Sequence, residues 1–235
     1  MDWKSAYRSF YYEAAPDVPD VELDARTTAL LIIDMQNAYV RRPPRATLTP
    51  EQQSEWDRWS PFFTRMQQTV IPNTRRLLHA FRARGCAVLF ARIACRRSDG
   101  RDRSLSHRRP GWNNLLMPVG SERAEIIGEL HPQADEIVVC KTTDSALTGT
   151  NLRLTLSNLD IDNVVVTGVF TDQCVSSTVR SLADESFNVV VVEDGCAAGT
   201  EELHAHELRV LNNIYCQVMG SDDVINCLDR ASGGG

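Results

Sequence analysis

Residues 164–185 read VVVTGVFTDQCVSSTVRSLADE, and this stretch decides the fold class. It opens with an apolar run of strand length, and from Val175 to Glu185 its apolar positions have helical spacing. A strand that is apolar on both faces is typical of a parallel sheet covered by helices. The stretch therefore predicts a strand, a turn that carries Cys174, and a helix.

The same alternation recurs along the chain. Continuous apolar runs predict further strands at residues 29–33, 87–91, 137–140, 189–192 and 216–219. Helical spacing predicts further helices at about residues 64–84, 122–130, 152–159 and 202–213. Strands that alternate with helices predict a three-layer α/β/α sandwich with a mostly parallel central sheet. The length fits one domain over residues 1–235, with a frayed tail at about 231–235.

Composition excludes several classes of function. The net charge of −6 argues against nucleic acid as a partner, because phosphate binding usually requires a basic surface. No apolar run approaches the roughly 20 residues that a membrane span requires, and the first residues do not resemble a secretion signal. The seven cysteines are scattered without a C-x-x-C pair, which favours free thiols. We expect a cytoplasmic protein that contacts neither membranes nor nucleic acid.

Three reactive side chains each follow a predicted strand. Asp34 follows the strand at 29–33, Lys141 follows the strand at 137–140, and Cys174 follows the strand quoted first. Because the carboxyl ends of parallel strands meet at one edge of a sheet, we expect all three side chains to lie together. Taken singly, each also has a structural explanation: a helix cap, a surface lysine and a packing cysteine.

The three residue types suit nucleophilic catalysis. A carboxylate at the end of a buried strand can transfer protons, and a lysine beside it can offset charge that develops on a carbonyl. A cysteine in the first turn of a helix is favoured as a thiolate, because N–H groups and the helix dipole stabilise its charge. Together the residues predict a cysteine nucleophile assisted by an acid–base pair.

Two polar stretches interrupt the alternation, at residues 41–60 and 94–120. Both follow predicted strands, where loops usually form the ligand crevice, so we interpret them as active-site loops or oligomer contacts. Solvated loops without a role are the alternative. The second stretch is rich in arginine: Arg96, Arg97, Arg101, Arg103, Arg108 and Arg109.

Three motifs carry a resemblance to a known family. They read LIIDMQN at residues 31–37, KTTDSALTGT at 141–150 and GVFTDQCV at 168–175. In this order the chain resembles the isochorismatase-like cysteine hydrolases, which include nicotinamidases, N-carbamoylsarcosine amidohydrolase, ureidoacrylate amidohydrolase and biuret hydrolase. The resemblance extends from about Leu23 to Leu228.

The resemblance implies a catalytic triad of Asp34, Lys141 and Cys174. It also implies a cis peptide between Val169 and Phe170, and an oxyanion hole formed by the backbone N–H groups of Phe170 and Cys174. The implied reaction passes through a thioester or thiocarbamate on Cys174 and uses no cofactor. A homo-oligomer, either a dimer or a tetramer, is also implied.

The resemblance narrows the substrate to a small amide or ureide. Nicotinamidases bind a metal through histidines in a region where this chain has only His79, so no metal is expected. Residues 171–180 are most similar to ureide-cleaving members, which favours a ureidoacrylate-type or biuret-type substrate, and the loop arginines could bind a carboxylated one. The residues expected to contact substrate are Gln36, Tyr39, Arg92, Trp112 and Thr171.

Two other functions remain open at this point. One is an amidase for a small carboxylated amide such as maleamate. The other is a non-catalytic protein that binds a small molecule on the same scaffold, since a fold does not by itself fix a function.

Overall fold

The computed structural model describes residues 3–19, 21–111 and 113–232. Its strands are β1 (Thr28–Ile33), β2 (Ala87–Ile93), β3 (Arg108–Arg109), β4 (Asn113–Asn114), β5 (Ile137–Lys141), β6 (Asn163–Val169), β7 (Asn188–Ala197) and β8 (Gln217–Met219). Six of them form one sheet in the order β5-β2-β1-β6-β7-β8, and every neighbouring pair is parallel. All six predicted strands are confirmed. Strands β3 and β4 form a separate antiparallel pair.

The α-helices are α1 (Trp3–Ala6), α2 (Asn37–Val40), α3 (Pro50–Arg58), α4 (Ser60–Arg65), α5 (Ile71–Ala83), α6 (Leu152–Asn158), α7 (Ser176–Asp184), α8 (Glu201–Leu211) and α9 (Ser221–Ser232). They cover the sheet from both sides. On one face, Leu30 and Ile32 of β1 share a hydrophobic core with residues of α5 and α9. On the other face, Ala29, Leu31 and Ile33 share a core with residues of α6, α7 and α8. The predicted three-layer sandwich is therefore confirmed.

The helix predicted at about 122–130 is wrong. The structure has two 3₁₀ turns instead, Glu122–Ala124 and Gly128–Leu130. Between them the backbone bonds to the segment after β1, because Ile127 N–H donates to Met35 O at 3.0 Å and Asn37 N–H donates to Glu125 O at 2.9 Å. These tertiary hydrogen bonds replace those of a helix.

Helices α1, α2, α3 and α9 and most of α4 were not predicted. Helix α3 lies inside the stretch 41–60 that we interpreted as a loop, and Thr49 caps it in a capping box with Gln52. Helix α9 extends to Ser232, so the prediction of a frayed tail from about residue 231 is wrong for residues 231 and 232. Residues 233–235, the rest of that predicted tail, lie outside the described residues. That residues 1–235 form one domain stays a prediction.

A glycine allows the two central strands to approach each other where the site begins. Gly168 lies opposite Ile33 in the β1–β6 pairing and has a φ of +127°. A Cβ atom at this position would lie 2.0 Å from Ile33 O. Only glycine therefore fits here, directly beside Asp34.

Candidate active site

Three strand ends bring Asp34, Lys141 and Cys174 together, as predicted. Lys141 Nζ lies 2.8 Å from Asp34 Oδ2 and 3.2 Å from Cys174 Sγ. It also donates to Thr143 O at 3.1 Å. Strand β5 is separated from β1 by β2, so the long lysine side chain crosses the end of β2 to reach the carboxylate.

The backbone around Asp34 directs its carboxylate into the site. Asp34 has a φ of +52°, which Asp tolerates better than most residues, and its N–H donates to Ala91 O at 2.8 Å. Its Oδ1 accepts a hydrogen bond from Ile93 N–H at 3.0 Å. The side chain is buried, so both oxygens are held by the protein.

The Lys141 ammonium is also buried. Burial lowers the pKa of Lys141, but the charge of Asp34 and the contacts with Asp34 and Cys174 raise it by more, so its net direction is upward. The lysine is therefore a permanent cation that neutralises Asp34.

Cys174 lies in a π-helical turn, Thr171–Val175, which continues into α7. Burial raises the pKa of the Cys174 thiol well above its usual range, and the Asp34 carboxylate raises it further, while Lys141 opposes both effects. Burial and Asp34 therefore oppose the thiolate that a helix N-terminus would favour. Cys174 rests as a thiol beside a base.

The turn that carries Cys174 begins at a cis peptide. The bond between Val169 and Phe170 is cis, as the resemblance implied. The N–H groups of Gln173 and Val175 both donate to Phe170 O, at 3.0 and 3.2 Å. These bonds fix the turn below the thiol.

The three residues lie at a cavity of about 980 Å³, which Asp34 and Cys174 both line. One of its walls is aromatic and consists of Tyr39, Trp59, Phe62, Phe63 and Phe170. The ring centroids of Phe62 and Phe170 are 5.1 Å apart, and those of Tyr39 and Phe170 are 5.7 Å apart. The cavity can therefore hold a small planar molecule against the thiol.

The model of the family described as the isochorismatase domain matches residues 28–223, which include every strand of the main sheet. The chain belongs to this family.

Relatives of this isochorismatase domain include both named enzymes and a protein named as inactive. The chain is 30% identical over 193 residues to a protein of Arabidopsis thaliana named probable inactive nicotinamidase, covering 80% of this chain and 90% of the relative. It is 30% identical over 195 residues to a ureidoacrylate amidohydrolase of Stutzerimonas stutzeri, covering 76% of this chain and 73% of that enzyme.

A solved structure supports the same membership. An isochorismatase-like hydrolase from Alkaliphilus metalliredigens superimposes with a TM-score of 0.65 at 29% identity, covering 85% of this chain and 98% of that one. The isochorismatase-like fold is therefore shown.

Three of the five expected substrate contacts need correction, and Gln36 and Arg92 are two of them. Gln36 is fully buried, and its amide group bonds to Ile93 O, Ala124 O and Ile93 N–H at 2.9 to 3.0 Å, so both of its N–H donors are already used. Arg92 is absent from the cavity lining and pairs with Glu125 at 2.7 Å. Gln36 therefore holds neighbouring backbone segments together, and Arg92 forms an ion pair in which its own side chain is mostly buried.

Thr171 is also not positioned to contact a substrate in the cavity. It is fully buried and absent from the cavity lining, and its Oγ1 lies 2.8 Å from His204 Nδ1. Arg65 Nη2 donates to His204 Nε2 at 2.9 Å. The imidazole therefore accepts at Nε2 and donates at Nδ1, which makes Thr171 the acceptor.

The two remaining expected contacts have different outcomes. Tyr39 lines the cavity, so a contact with substrate stays a prediction. Burial raises the pKa of Tyr39 above its usual range, and the charge of Asp34 adds to this effect, so its hydroxyl stays protonated. Trp112 lies outside the described residues.

The loop arginines do not line the cavity. Arg97 and Arg101 both pair with Asp99, and Arg103 bonds within its own loop. The arginine that does line the cavity is Arg180, which already pairs with Glu207 at 2.9 Å. The structure thus gives no support to a carboxylate site built from the loop arginines.

Sequence analysis missed Asp144 and His107. Asp144 lines the cavity, and its Oδ1 lies 3.8 Å from Cys174 Sγ and 3.1 Å from His107 Nε2. The position of Asp144, three residues after Lys141 in the same motif, could have indicated it. Nothing in the sequence pattern indicates His107, which lies in a loop 37 residues before Asp144 in the chain.

The described part of the chain has neither a cluster of potential metal ligands nor a helix that could span a membrane. In residues 3–19, 21–111 and 113–232, no three His, Cys, Asp or Glu side chains converge as metal ligands would. Among the same residues, no helix has the length and apolar character to cross a membrane.

Proposed function

We propose that this member of the isochorismatase domain family hydrolyses a carbon–nitrogen bond of a small amide or ureide, with Cys174 as the nucleophile. One observation carries the proposal: a buried lysine contacts both a buried carboxylate and a thiol, at 2.8 and 3.2 Å. A nucleophile next to a base that a third group holds in place is the arrangement that covalent catalysis requires.

The first step forms the covalent intermediate. Asp34 takes the proton of the Cys174 thiol while Sγ attacks the substrate carbonyl carbon. This order suits a thiol whose pKa is raised, since the proton leaves only when a base accepts it. The N–H groups of Phe170 and Cys174 are proposed to stabilise the oxyanion, because both residues line the cavity.

The second step releases the amine and then the acid. Asp34 returns the proton to the departing nitrogen, which leaves a thioester or a thiocarbamate on Sγ. Water then gives a proton to Asp34 and attacks the same carbon, and Cys174 regains its hydrogen as the product leaves. Lys141 keeps its charge throughout and balances Asp34.

A similar relative is named a ureidoacrylate amidohydrolase, which supports the reaction class. Another is named inactive, so family membership alone does not establish catalysis. A protein that only binds a small molecule has no need of a buried lysine–carboxylate pair against a thiol, which favours an enzyme. A carboxylated substrate, whether maleamate or ureidoacrylate, receives less support than a neutral one, because Arg180 is already paired.

Ammonia release tests the proposal. Biuret, ureidoacrylate, maleamate, nicotinamide and N-carbamoyl amino acids are incubated with the wild type, with Cys174→Ala, and with Cys140→Ala as a control thiol outside the cavity. We expect turnover of at least one substrate, a loss of about 1,000-fold or more in Cys174→Ala, and retention in Cys140→Ala. Acid quenching during turnover should trap the acyl group on Cys174, as seen by peptide mass.

Turnover that survives in Cys174→Ala would contradict the proposed mechanism. A folded wild type that releases no ammonia from any of these compounds would instead favour the binding protein.

A further inference from the structure

A second carboxylate lies beside the thiol and is not used by the proposed mechanism. Asp144 Oδ1 is 3.8 Å from Cys174 Sγ, and the Asp144 side chain is 40% exposed, so a molecule in the cavity can reach it. Among the described residues, every hydrogen bond of its carboxylate is made by Oδ1, which leaves Oδ2 available as an acceptor.

A buried histidine holds this carboxylate in position. His107 is fully buried, and its Nε2 lies 3.1 Å from Asp144 Oδ1. The hydrogen bond from His107 holds the pKa of Asp144 below its usual range, against the effect of burial. Asp144 is therefore a fixed, ionised acceptor beside the thiol.

The other charges of the cavity do not neutralise Asp144. Asp34 is paired with Lys141, and Arg180 is paired with Glu207. Asp172 also lines the cavity and adds a third carboxyl group, whose pKa burial raises. A ligand next to Asp144 is thus favoured when it presents N–H donors.

The distance to the thiol defines which part of a substrate meets Asp144. When Sγ bonds to a carbonyl carbon, the atoms attached to that carbon lie beside Sγ and within hydrogen-bond reach of a group 3.8 Å away. The departing nitrogen turns toward Asp34, which must protonate it. The atom retained on the carbon is then the one that can face Asp144.

We infer that Asp144 accepts a hydrogen bond from the retained nitrogen of the substrate, so that the site selects ureides over simple amides. The inference rests on the proposed function. In a ureide the attacked carbon carries two nitrogens, and the retained one keeps its N–H after the other has left. In a simple amide the retained atom is carbon, which gives Asp144 no hydrogen to accept.

The reaction balances without another reactant. Sγ bonds to the ureide carbon as Asp34 takes the thiol proton, and the bond to the departing nitrogen breaks as Asp34 returns that proton. Ammonia and a thiocarbamate result, and the thiocarbamate N–H remains bonded to Asp144. Water then releases a carbamic acid and restores the thiol.

Biuret and malonamide test the inference, because they differ only in the NH of biuret being CH₂ in malonamide. Their kcat/KM values are measured with the wild type, with Asp144→Asn and with Asp172→Asn. In Asp144→Asn, we expect the value for biuret to fall by about 10- to 100-fold and the value for malonamide by less than about 3-fold. Dividing each variant's value by that of the wild type cancels the intrinsic reactivities of the two compounds.

Asp172→Asn is the matched control, since it removes a carboxyl group from the same cavity. We expect it to change the biuret-to-malonamide ratio by less than about 3-fold, because charge alone does not distinguish NH from CH₂. An equal fall for both compounds in Asp144→Asn would overturn the inference, since Asp144 would then act on the thiol or on the fold.

If the wild type hydrolyses neither compound, the binding affinities of biuret and malonamide test the inference instead. Calorimetry with Cys174→Ala should show tighter binding of biuret than of malonamide, and Asp144→Asn in that background should remove the difference. Equal binding, or binding of neither compound, overturns the inference. Turnover that persists in Cys174→Ala would overturn the proposed function instead, whatever Asp144→Asn does.

Discussion

Lys141 Nζ lies 2.8 Å from Asp34 Oδ2, with both side chains buried from solvent. Removing one member leaves the other as an uncompensated buried charge, so we expect Lys141→Met to lower the free energy of unfolding by about 3–5 kcal/mol. The double variant Asp34→Asn/Lys141→Met should lose much less than the sum of the single variants. Denaturant unfolding of all four proteins measures this coupling, and additive losses would contradict it.

The reactivity of Cys174 should depend on Asp34. The Asp34 carboxylate raises the pKa of the thiol, so Asp34→Asn should lower this pKa and increase the rate of alkylation by iodoacetamide at pH 8, by about tenfold for each unit. Lys141→Met should have the opposite effect. The rate is followed by peptide mass, with Cys140 as an internal reference. A slower reaction in Asp34→Asn would show that Asp34 does not raise the thiol pKa.

The bond between Thr171 and His204 should affect catalysis through position. Thr171→Val removes the acceptor of His204 Nδ1, which we expect to cost about 1–3 kcal/mol of stability and to lower kcat more than it changes KM. Thr171→Ser keeps the hydroxyl and should restore most of kcat. A rise in KM with an unchanged kcat would instead indicate direct contact with substrate, as sequence analysis expected.

Buried thiols should make the protein less stable at alkaline pH. Burial raises the pKa of Cys196 to about 12, whereas the unfolded chain ionises near 9.0. Between these values the unfolded state binds fewer protons than the folded state, so stability is complete below pH 9 and is lost as pH rises towards 12. Cys196→Val should reduce this slope by about 1.4 kcal/mol per pH unit, as measured by denaturant unfolding from pH 8 to 11. An unchanged slope would show that this thiol does not ionise on unfolding.

The strands and the central three residues follow from sequence because they depend on strong, local patterns. Apolar runs require burial on both faces, and a parallel sheet brings the residues after each run to one edge. This placed Asp34, Lys141 and Cys174 correctly. It did not identify helix α3, since Pro50–Arg58 has no buried residue and lacks an apolar stripe.

The residues that surround Asp34, Lys141 and Cys174 could not be assigned from sequence, because their roles depend on the direction in which each side chain points. Gln36 and Arg92 lie next to the site in the chain, yet neither lines the cavity. His204 occupies the buried face of α8 with Leu208 and Leu211, and that spacing could have indicated burial but not its bond to Thr171.

Because the Lys141 side chain crosses β2 to reach Asp34, it constrains the order in which the chain can fold. Strand β1 lies at the centre of the sheet and β5 at its edge, and about a hundred residues separate Asp34 from the lysine that neutralises it. During synthesis Asp34 emerges with the central strand long before Lys141 emerges with the edge strand. Until Lys141 is available, burial of the Asp34 charge costs free energy, so the central strand cannot reach its full stability. We therefore expect the amino-terminal half to have no stable fold of its own.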